Sequence, residues 1–126
     1  MSSHPVVHID IPASDPRAAG KFYADTFGWN IHTDDAFSYT MFQVEGGPGG
    51  GFVNLGDMHG LPVKPGDVLL YIDTDDIDAS LVKITALGGK VLLGKSEIPG
   101  VGWWAAFSDP SGNRMGLFTS DHPHPH

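Results

Sequence analysis

The chain has no cysteine among its 126 residues. It can therefore form no disulfide, no thiolate metal site and no cysteine nucleophile, which removes several catalytic classes. Basic residues are also scarce, since 7 Lys and Arg are present with 15 Asp and Glu, giving a formal net charge of −8. No segment gathers the basic residues into a stripe, so we expect neither a nucleic-acid partner nor an anionic membrane surface.

Long apolar runs are absent too. No stretch approaches the about 20 apolar residues that cross a bilayer, and residues 1–4 lack the basic and hydrophobic regions of a secretory signal. These absences predict a cytoplasmic protein without a membrane partner. Hydrophobic residues are 40% of the sequence and aromatic residues 10%, which is enough for one core in a chain of this length.

The first half of the chain carries the pattern of a strand, a helix and three further strands. Residues 6–11 have the apolar bias of a strand, and Ser14-Asp15-Pro16 then supplies a capping side chain and a proline for the start of a helix. Apolar residues recur at helical spacing up to Gly28, a typical C-terminal stop. The three strands are expected at 29–32, 37–44 and 51–55.

The second half repeats this order of elements. His8-Ile9-Asp10 matches Tyr71-Ile72-Asp73 at an offset of 63, and residues 27–31 match residues 87–91 at an offset of 60. Two nearly equal offsets, joined to the same predicted order, indicate an internal duplication. The expected elements are strands at 68–73, 91–93, 103–108 and 114–119, with a helix between the first two.

Three segments between or after these elements are expected to lie outside the core. The glycine run at 46–51 lacks the lysine and hydroxyl residue of a phosphate-binding loop, and we interpret it as a hairpin loop or a flexible lid. Residues 57–66 have the composition of a linker, and residues 121–126 that of an extended His/Pro tail. Alternating prolines keep the three tail histidines apart, so no specific metal site is expected there.

A tight turn, Asp109-Pro110-Ser111-Gly112-Asn113, precedes the last expected strand. With Phe22-Tyr23 and Phe27-Gly28-Trp29 in the first helix, it resembles the vicinal oxygen chelate superfamily of glyoxalases, bleomycin-resistance proteins and dioxygenases. The resemblance covers nearly residues 5–119 and implies an α+β fold, in which two tandem βαβββ modules form an open barrel. It implies one domain at 5–120, made of module one at 5–56, the linker at 57–66 and module two at 67–120.

In that superfamily the enzymes hold one divalent metal through one ligand from the first strand and one from the last strand of each module. By this resemblance His8 is a competent ligand, but Tyr71 takes the equivalent position of module two, and a phenol is a poor ligand. Gly116 lies where the family usually has glutamate, and residues 49–55 contain no acid or imidazole. We therefore favour no metal cofactor.

Two enzymatic alternatives stay open. His8, Asp10 and Asp73 could together hold zinc, manganese, iron or nickel in a lyase or dioxygenase. The superfamily fold also sets the two first strands side by side. This arrangement would let His8 and Tyr71 act as a metal-free acid–base pair.

The favoured function follows from the resemblance without a metal: binding of a small apolar or aromatic molecule in a cavity between the modules. Candidate ligand contacts are the ring-bearing residues His8, Phe52, Tyr71, Trp103, Trp104 and Phe107. Strand alternation points Trp103 and Trp104 to opposite faces but does not say which faces inward. The same aromatic residues are also typical of core packing. An open sheet edge favours a homodimer.

Overall fold

The computed structural model of the chain describes residues 3–36 and 39–121. It divides into two compact units, and the chain passes from one unit to the other after Val6 and again after Leu70. We call Val7–Leu70 the N-terminal unit, and the segment before Val7 together with the chain from Tyr71 onward the C-terminal unit. The prediction of one domain over 5–120 stays a prediction. The tail after Asp121 and Phe37 of an expected strand lie outside the described residues.

The N-terminal unit has the predicted order of strand, helix and three strands. Its elements are β1 (Val6–Ala13), α1 (Pro16–Phe27), β2 (Asn30–Asp34), β3 (Tyr39–Gln43) and β4 (Gly49–Asn54). The sheet order is β2-β3-β4-β1, in which β4 runs parallel to β1 and antiparallel to β3. The Asp15 side chain accepts the Ala18 N–H at 3.2 Å to cap α1, and Gly28 ends the helix in the left-handed conformation.

The core of this unit lies between α1 and the sheet. Phe42 and Phe52 are buried there, and the aromatic side chains of Tyr23 and Trp29 pack against them. The ring centroids of Trp29 and Phe42 are 4.6 Å apart, a stacked contact. Gly20 faces the sheet from α1, and a Cβ atom there would lie 2.9 Å from the Ile31 side chain, so the helix approaches the sheet closely.

The C-terminal unit repeats the order of elements. After the short hairpin of β5 (Gly56–Met58) and β6 (Leu61–Val63) come β7 (Leu69–Asp73), α2 (Ile77–Ala86), β8 (Lys90–Ile98), β9 (Gly102–Ser108) and β10 (Arg114–Ser120). The strands follow the order β7-β10-β9-β8, and β10 runs parallel to β7. This is the arrangement of the first unit, so the predicted duplication and the mixed α+β fold of two βαβββ modules are confirmed. Neither sheet is a closed barrel.

Two expectations for the loops were wrong. Gly49 and Gly50 belong to β4, which was expected to begin at Gly51, so the hairpin loop covers only 44–48. Glycine is required within this strand because a Cβ atom on Gly50 would lie 1.8 Å from the Ile9 carbonyl oxygen. The linker at 57–66 contains most of the β5–β6 hairpin, which buries Val63.

The turn at 109–113 before β10, which resembles the superfamily motif, is stabilised by the Asp109 side chain. The Asp109 carboxylate accepts the backbone N–H groups of Ser111 and Asn113, each at 2.9 Å, and the Asn113 side-chain amide at 3.1 Å. These bonds, with the backbone bond from Asn113 as the largest cause, lower the pKa of Asp109. Gly112 has a φ of 93°, which favours glycine. The motif thus fixes the connection between β9 and β10.

Candidate functional site

A group of polar side chains lies on the sheet face opposite α1 in the N-terminal unit. Ile9 and Ile11 of β1 pack into the helix-side core, so alternation turns His8 and Asp10 to the other face. His8 Nε2 lies 2.9 Å from Asp10 Oδ1. The His8 side chain is 36% exposed and that of Asp10 only 10%, so a buried carboxylate holds a partly exposed imidazole.

Tyr39 of β3 completes this group, which we call the polar cluster: His8, Asp10 and Tyr39. The Tyr39 hydroxyl lies 3.4 Å from His8 Nε2 and 3.5 Å from Asp10 Oδ1. A Cβ atom on Gly51 would lie 1.8 Å from the Tyr39 hydroxyl oxygen, so only glycine lets the phenol lie there. Burial, followed by the charge of Asp10, raises the pKa of Tyr39 far above its ordinary value and keeps its hydroxyl protonated.

Sequence reasoning missed Tyr39, although a signal for it was present. Strands were predicted at 37–44 and 51–55, but Gly49 and Gly50 were assigned to the loop, and the register that sets Tyr39 over Gly51 was not predicted. A bulky ring can lie across a neighbouring strand only where that strand has no side chain. Tyrosine on one strand and consecutive glycines on the next are together the pattern that would have indicated the contact.

The corresponding face of the C-terminal unit, opposite α2, is aromatic. Tyr71 is the register partner of Gly116 on the parallel strand β10. A Cβ atom on Gly116 would lie 2.5 Å from the Tyr71 ring, so the ring covers this glycine. Trp104 lies 6.2 Å from Tyr71 between ring centroids, and its register partner is the half-buried Phe118. We call Tyr71, Trp104 and Phe118 the aromatic face.

The other three predicted aromatic contacts belong to the helix side of their sheets. Phe52 is 1% exposed and packs in the core beside α1. Phe107 is buried in the core beside α2, and Trp103 packs against that core with Lys95 Nζ 5.1 Å from its ring centroid. The two tryptophans thus point to opposite faces of their sheet: Trp104 shares the face of Tyr71, and Trp103 faces α2. Ligand contact through Phe52, Trp103 or Phe107 stays a prediction.

The donor set can be compared with the metal site that the superfamily implies. In the N-terminal unit the first-strand residue His8 pairs with Gly49 on β4, and in the C-terminal unit Tyr71 pairs with Gly116 on β10. The four positions therefore offer one imidazole, one phenol and two residues without side-chain donors. The Tyr71 ring also fills the space into which a side chain at position 116 would extend. This donor set does not fit a divalent metal.

The two alternative sets named from the sequence join residues of different units. His8 and Asp10 belong to the N-terminal unit, whereas Tyr71 and Asp73 belong to the C-terminal unit. Within its own unit, Asp73 donates its backbone N–H to the Pro5 carbonyl at 2.9 Å. Over residues 3–36 and 39–121, no three His, Asp or Glu side chains form a group that could hold a metal ion. Both alternative sets stay predictions.

The fold and the turn motif define a glyoxalase-like protein. A family model described as "Glyoxalase-like domain" matches residues 6–118, and the chain belongs to this family. It is 32% identical over 115 residues to a glyoxylase-like domain-containing protein of Didymella fabae, covering 88% of this chain and 90% of that protein.

A second relative is longer than this chain. The chain is 29% identical over 125 residues to the anthracycline biosynthesis protein DnrV of Streptomyces peucetius, covering 82% of this chain but 42% of that protein. The chain thus spans less than half the length of this relative.

Solved structures share the fold. A glyoxalase/bleomycin resistance protein/dioxygenase superfamily member from Vibrio splendidus has a TM-score of 0.65 at 14% identity, covering 94% of this chain and all of that one. A methylmalonyl-CoA epimerase in complex with methylmalonyl-CoA and NH4+ has a TM-score of 0.64 at 21% identity, covering 95% and 96%. These neighbours confirm the superfamily fold, which in the epimerase takes a small-molecule ligand. Within the described residues, neither helix is long and apolar enough to cross a bilayer.

Proposed function

We propose that this glyoxalase-like domain binds a small, flat, apolar or aromatic molecule and does so without a metal ion. The observation that carries the proposal is the Tyr71 ring lying over Gly116, where metal-dependent relatives are expected to have a donor pair. An aromatic ring there favours contact with apolar surface, and it contributes no negative charge to neutralise a cation.

The aromatic face supplies the surface for such a ligand. Trp104 and Tyr71 are buried, whereas Phe118 beside them is half-buried and reaches solvent. A planar ring stacked against an aromatic side chain gains about 0.5–1.5 kcal/mol beyond the effect of burying its area. The proposal therefore expects affinity to come mainly from ring contacts.

The charge of the chain limits the ligand further. The formal net charge is −8. An anionic ligand would approach against the field of a chain with an excess of like charge. The ligand is therefore expected to be neutral. The epimerase complex supports small-molecule binding by this fold, but not the identity of the ligand.

The test is a titration with 2-methoxynaphthalene, a neutral planar probe, followed by tryptophan fluorescence. We expect saturable quenching in the wild-type chain and at least a fivefold loss of affinity in Phe118→Ala. Phe22→Ala is the matched control, because Phe22 is an exposed phenylalanine on α1 of the other unit and 60% of its surface is accessible. Equal losses in both variants, or no saturable binding, would contradict the proposal.

A second candidate, a metal-free acid–base enzyme, is favoured by the contact between His8 and Asp10. A carboxylate that orients a histidine is a common element of proton-transfer sites. The sequence paired His8 with Tyr71, and the polar cluster adds Tyr39 as a phenol within reach of His8. Exchange of solvent deuterium into a carbonyl substrate, lost in His8→Ala, would support this candidate.

The homodimer and the cytoplasmic location stay part of the proposal. A light-scattering mass of two chains would support the dimer, and a mass of one chain would overturn it.

A further inference from the structure

A cleft lies on the helix side of the C-terminal unit, on the other side of the sheet from the aromatic face. Its volume is about 330 Å³, near the small end of the range for ligand pockets, and its lining is mostly apolar. The facing wall comes from Phe107 at the end of β9 and from Pro110 in the following turn. The wall on α2 and its C-cap consists of residues at helical spacing: Ser80, Lys83, Ile84 and Leu87. We call this the α2 cleft.

The segment before β1 closes one end of the α2 cleft through His4. The φ of His4 is 58°, in the left-handed region that few residues other than glycine adopt. Two contacts with Asp73 hold the segment there. His4 Nδ1 lies 2.9 Å from the Asp73 carbonyl oxygen, and the Asp73 N–H donates to the Pro5 carbonyl at 2.9 Å. This end of the cleft is therefore fixed by hydrogen bonds within the C-terminal unit.

Lys83 brings a cation to this apolar lining. It lies in the last turn of α2, where the helix dipole favours a positive charge. The ion pairs within the described part of the chain join His8, Arg17 and Lys21 to aspartates, and none of them involves Lys83. An ammonium group beside apolar surface suits a ligand that has one anionic group and an apolar body.

Asp109 restricts the charge that such a ligand can carry. It lines the α2 cleft from the turn before β10, and its carboxylate accepts the N–H groups of Ser111 and Asn113. A second anionic group on the ligand would meet this like charge. A monocarboxylate therefore fits the cleft better than a dicarboxylate or a phosphate, with its carboxylate towards Lys83.

We infer that the α2 cleft is a binding site for a small aromatic monocarboxylate. The Lys83 ammonium contacts the carboxylate, and Leu87 and Phe107 contact the ring. The inference does not depend on the proposed function, because the side chains that define the aromatic face include no cation and lie on the opposite side of the sheet. The net charge of −8 opposes anions in general, so binding in the cleft depends on Lys83. No covalent step is involved.

The first experiment is calorimetric titration of the full chain with 2-naphthoate. We expect saturable binding by the wild-type chain and a loss of affinity of roughly threefold to tenfold in Lys83→Met, the range for a partly screened contact between charges. Lys90→Met is the matched control, because it removes the same charge from an exposed lysine of β8 that does not line the cleft. This control should bind like the wild-type chain.

A merely structural role for Lys83 predicts a different result. In that case Lys83→Met would lower the melting temperature but bind 2-naphthoate as Lys90→Met does. Equal affinity of these two variants, whether reduced or unchanged, would overturn the inference, because only the net charge would then matter. The neutral analogue 2-naphthamide should show no difference between Lys83→Met and the wild-type chain.

The second experiment tests the apolar wall. Leu87 is 71% exposed and lines the cleft, whereas Val82 on α2 is 72% exposed and does not line it. Leu87→Ala should weaken 2-naphthoate binding at least twofold, because it removes apolar contact area. Val82→Ala should leave the affinity unchanged. Equal effects of the two substitutions would overturn the inference.

The third experiment locates the bound probe in the wild-type chain, so it does not depend on the folding of any variant. In ¹⁵N NMR spectra, 2-naphthoate should shift the amide signals from Ser80 to Gly89 and that of Phe107. Shifts confined to Tyr71, Trp104 and Phe118 would place the probe on the aromatic face and overturn the inference. No saturable binding of 2-naphthoate would also overturn it, while saturable binding of 2-methoxynaphthalene would still support the proposed function.

Discussion

The two units of this chain share an element order and a strand order, yet the faces opposite their helices differ in chemistry. In the N-terminal unit that face carries the polar cluster, held by a buried carboxylate. In the C-terminal unit it carries the aromatic face, in which Tyr71 covers Gly116. The two units thus share the fold, whereas the repeat-related positions carry an imidazole at His8 and a phenol at Tyr71.

The comparison also shows how glycine shapes both faces. Tyr39 lies over Gly51 in one unit, and Tyr71 lies over Gly116 in the other. In each case a phenol ring occupies the space that a side chain on the neighbouring strand would fill. The difference lies in what the ring contacts: Tyr39 reaches a histidine and a carboxylate, whereas Tyr71 packs near a tryptophan.

The largest expected effect comes from restoring the family's acid on the aromatic face. Gly116→Glu should destabilise the chain by about 3 kcal/mol or more, because the new side chain meets the Tyr71 ring and brings a charge into a buried site. Urea denaturation measures the loss. Gly47→Glu is the control, since nothing lies within 4 Å of a Cβ atom at Gly47. Equal stability of the two variants would show that the ring does not cover Gly116.

A smaller effect is expected from replacing the tryptophans one at a time. Quenching by 2-methoxynaphthalene should be mostly lost in Trp104→Phe and mostly kept in Trp103→Phe. The reason is that Trp104 shares the face of Tyr71, whereas Trp103 packs towards α2. Steady-state tryptophan fluorescence of each variant, titrated with the probe, measures the remaining quenching. The opposite pattern would move the binding surface to the helix side.

Removing the Tyr39 hydroxyl should cost about 1 kcal/mol at neutral pH, because Asp10 loses a buried donor. Because the native pKa of Tyr39 is raised, the stabilisation by its hydroxyl is fully present at a pH below 10.0, the ordinary pKa of tyrosine. This stabilisation is lost as the pH rises above 10.0 towards the native pKa. Ultraviolet absorbance in strong alkali should show Tyr39 ionising late, as a step that Tyr39→Phe removes. An unchanged titration would contradict the proposed environment of Tyr39.

The smallest effect concerns the exposed turn before β10. Asp109→Ala should lower the melting temperature slightly at neutral pH, since it removes three hydrogen bonds to the turn. The native pKa of Asp109 is depressed, so its contribution is present above the ordinary value of 3.8 and is lost as the pH falls through the lower native value. The two melting curves should therefore converge in acid. A difference that grows in acid would contradict this sign.

Local patterns predicted much of the fold. The Asp15 cap, the Gly28 stop and the turn at Asp109 depend on neighbours in sequence, and the structure has all three where they were expected. The glycines of β4 could not be predicted in this way. Their place in a strand depends on the Ile9 backbone and the Tyr39 ring, which are distant in sequence.

The candidate site was predicted only in part. His8 and Asp10 were named from the superfamily position and from strand alternation, and the structure brings them together. Tyr39 was missed although strands were predicted at 37–44 and 51–55, because the register that sets its ring over Gly51 depends on contacts distant in sequence. That Trp104, and not Trp103, lies on the face opposite α2 depends on the position of α2, against whose core Trp103 packs.

The most direct test of the central claim is the metal content of the chain. Mass spectrometry should be carried out on protein prepared without chelators, with His122, His124 and His126 replaced by glutamine so that they cannot retain metal ions. If binding is metal-free, the chain should carry far less than one divalent ion and should bind 2-methoxynaphthalene saturably. Near-unit occupancy by zinc, manganese, iron or nickel, lost in His8→Ala, would contradict metal-free binding and support a metal-dependent glyoxalase-like enzyme.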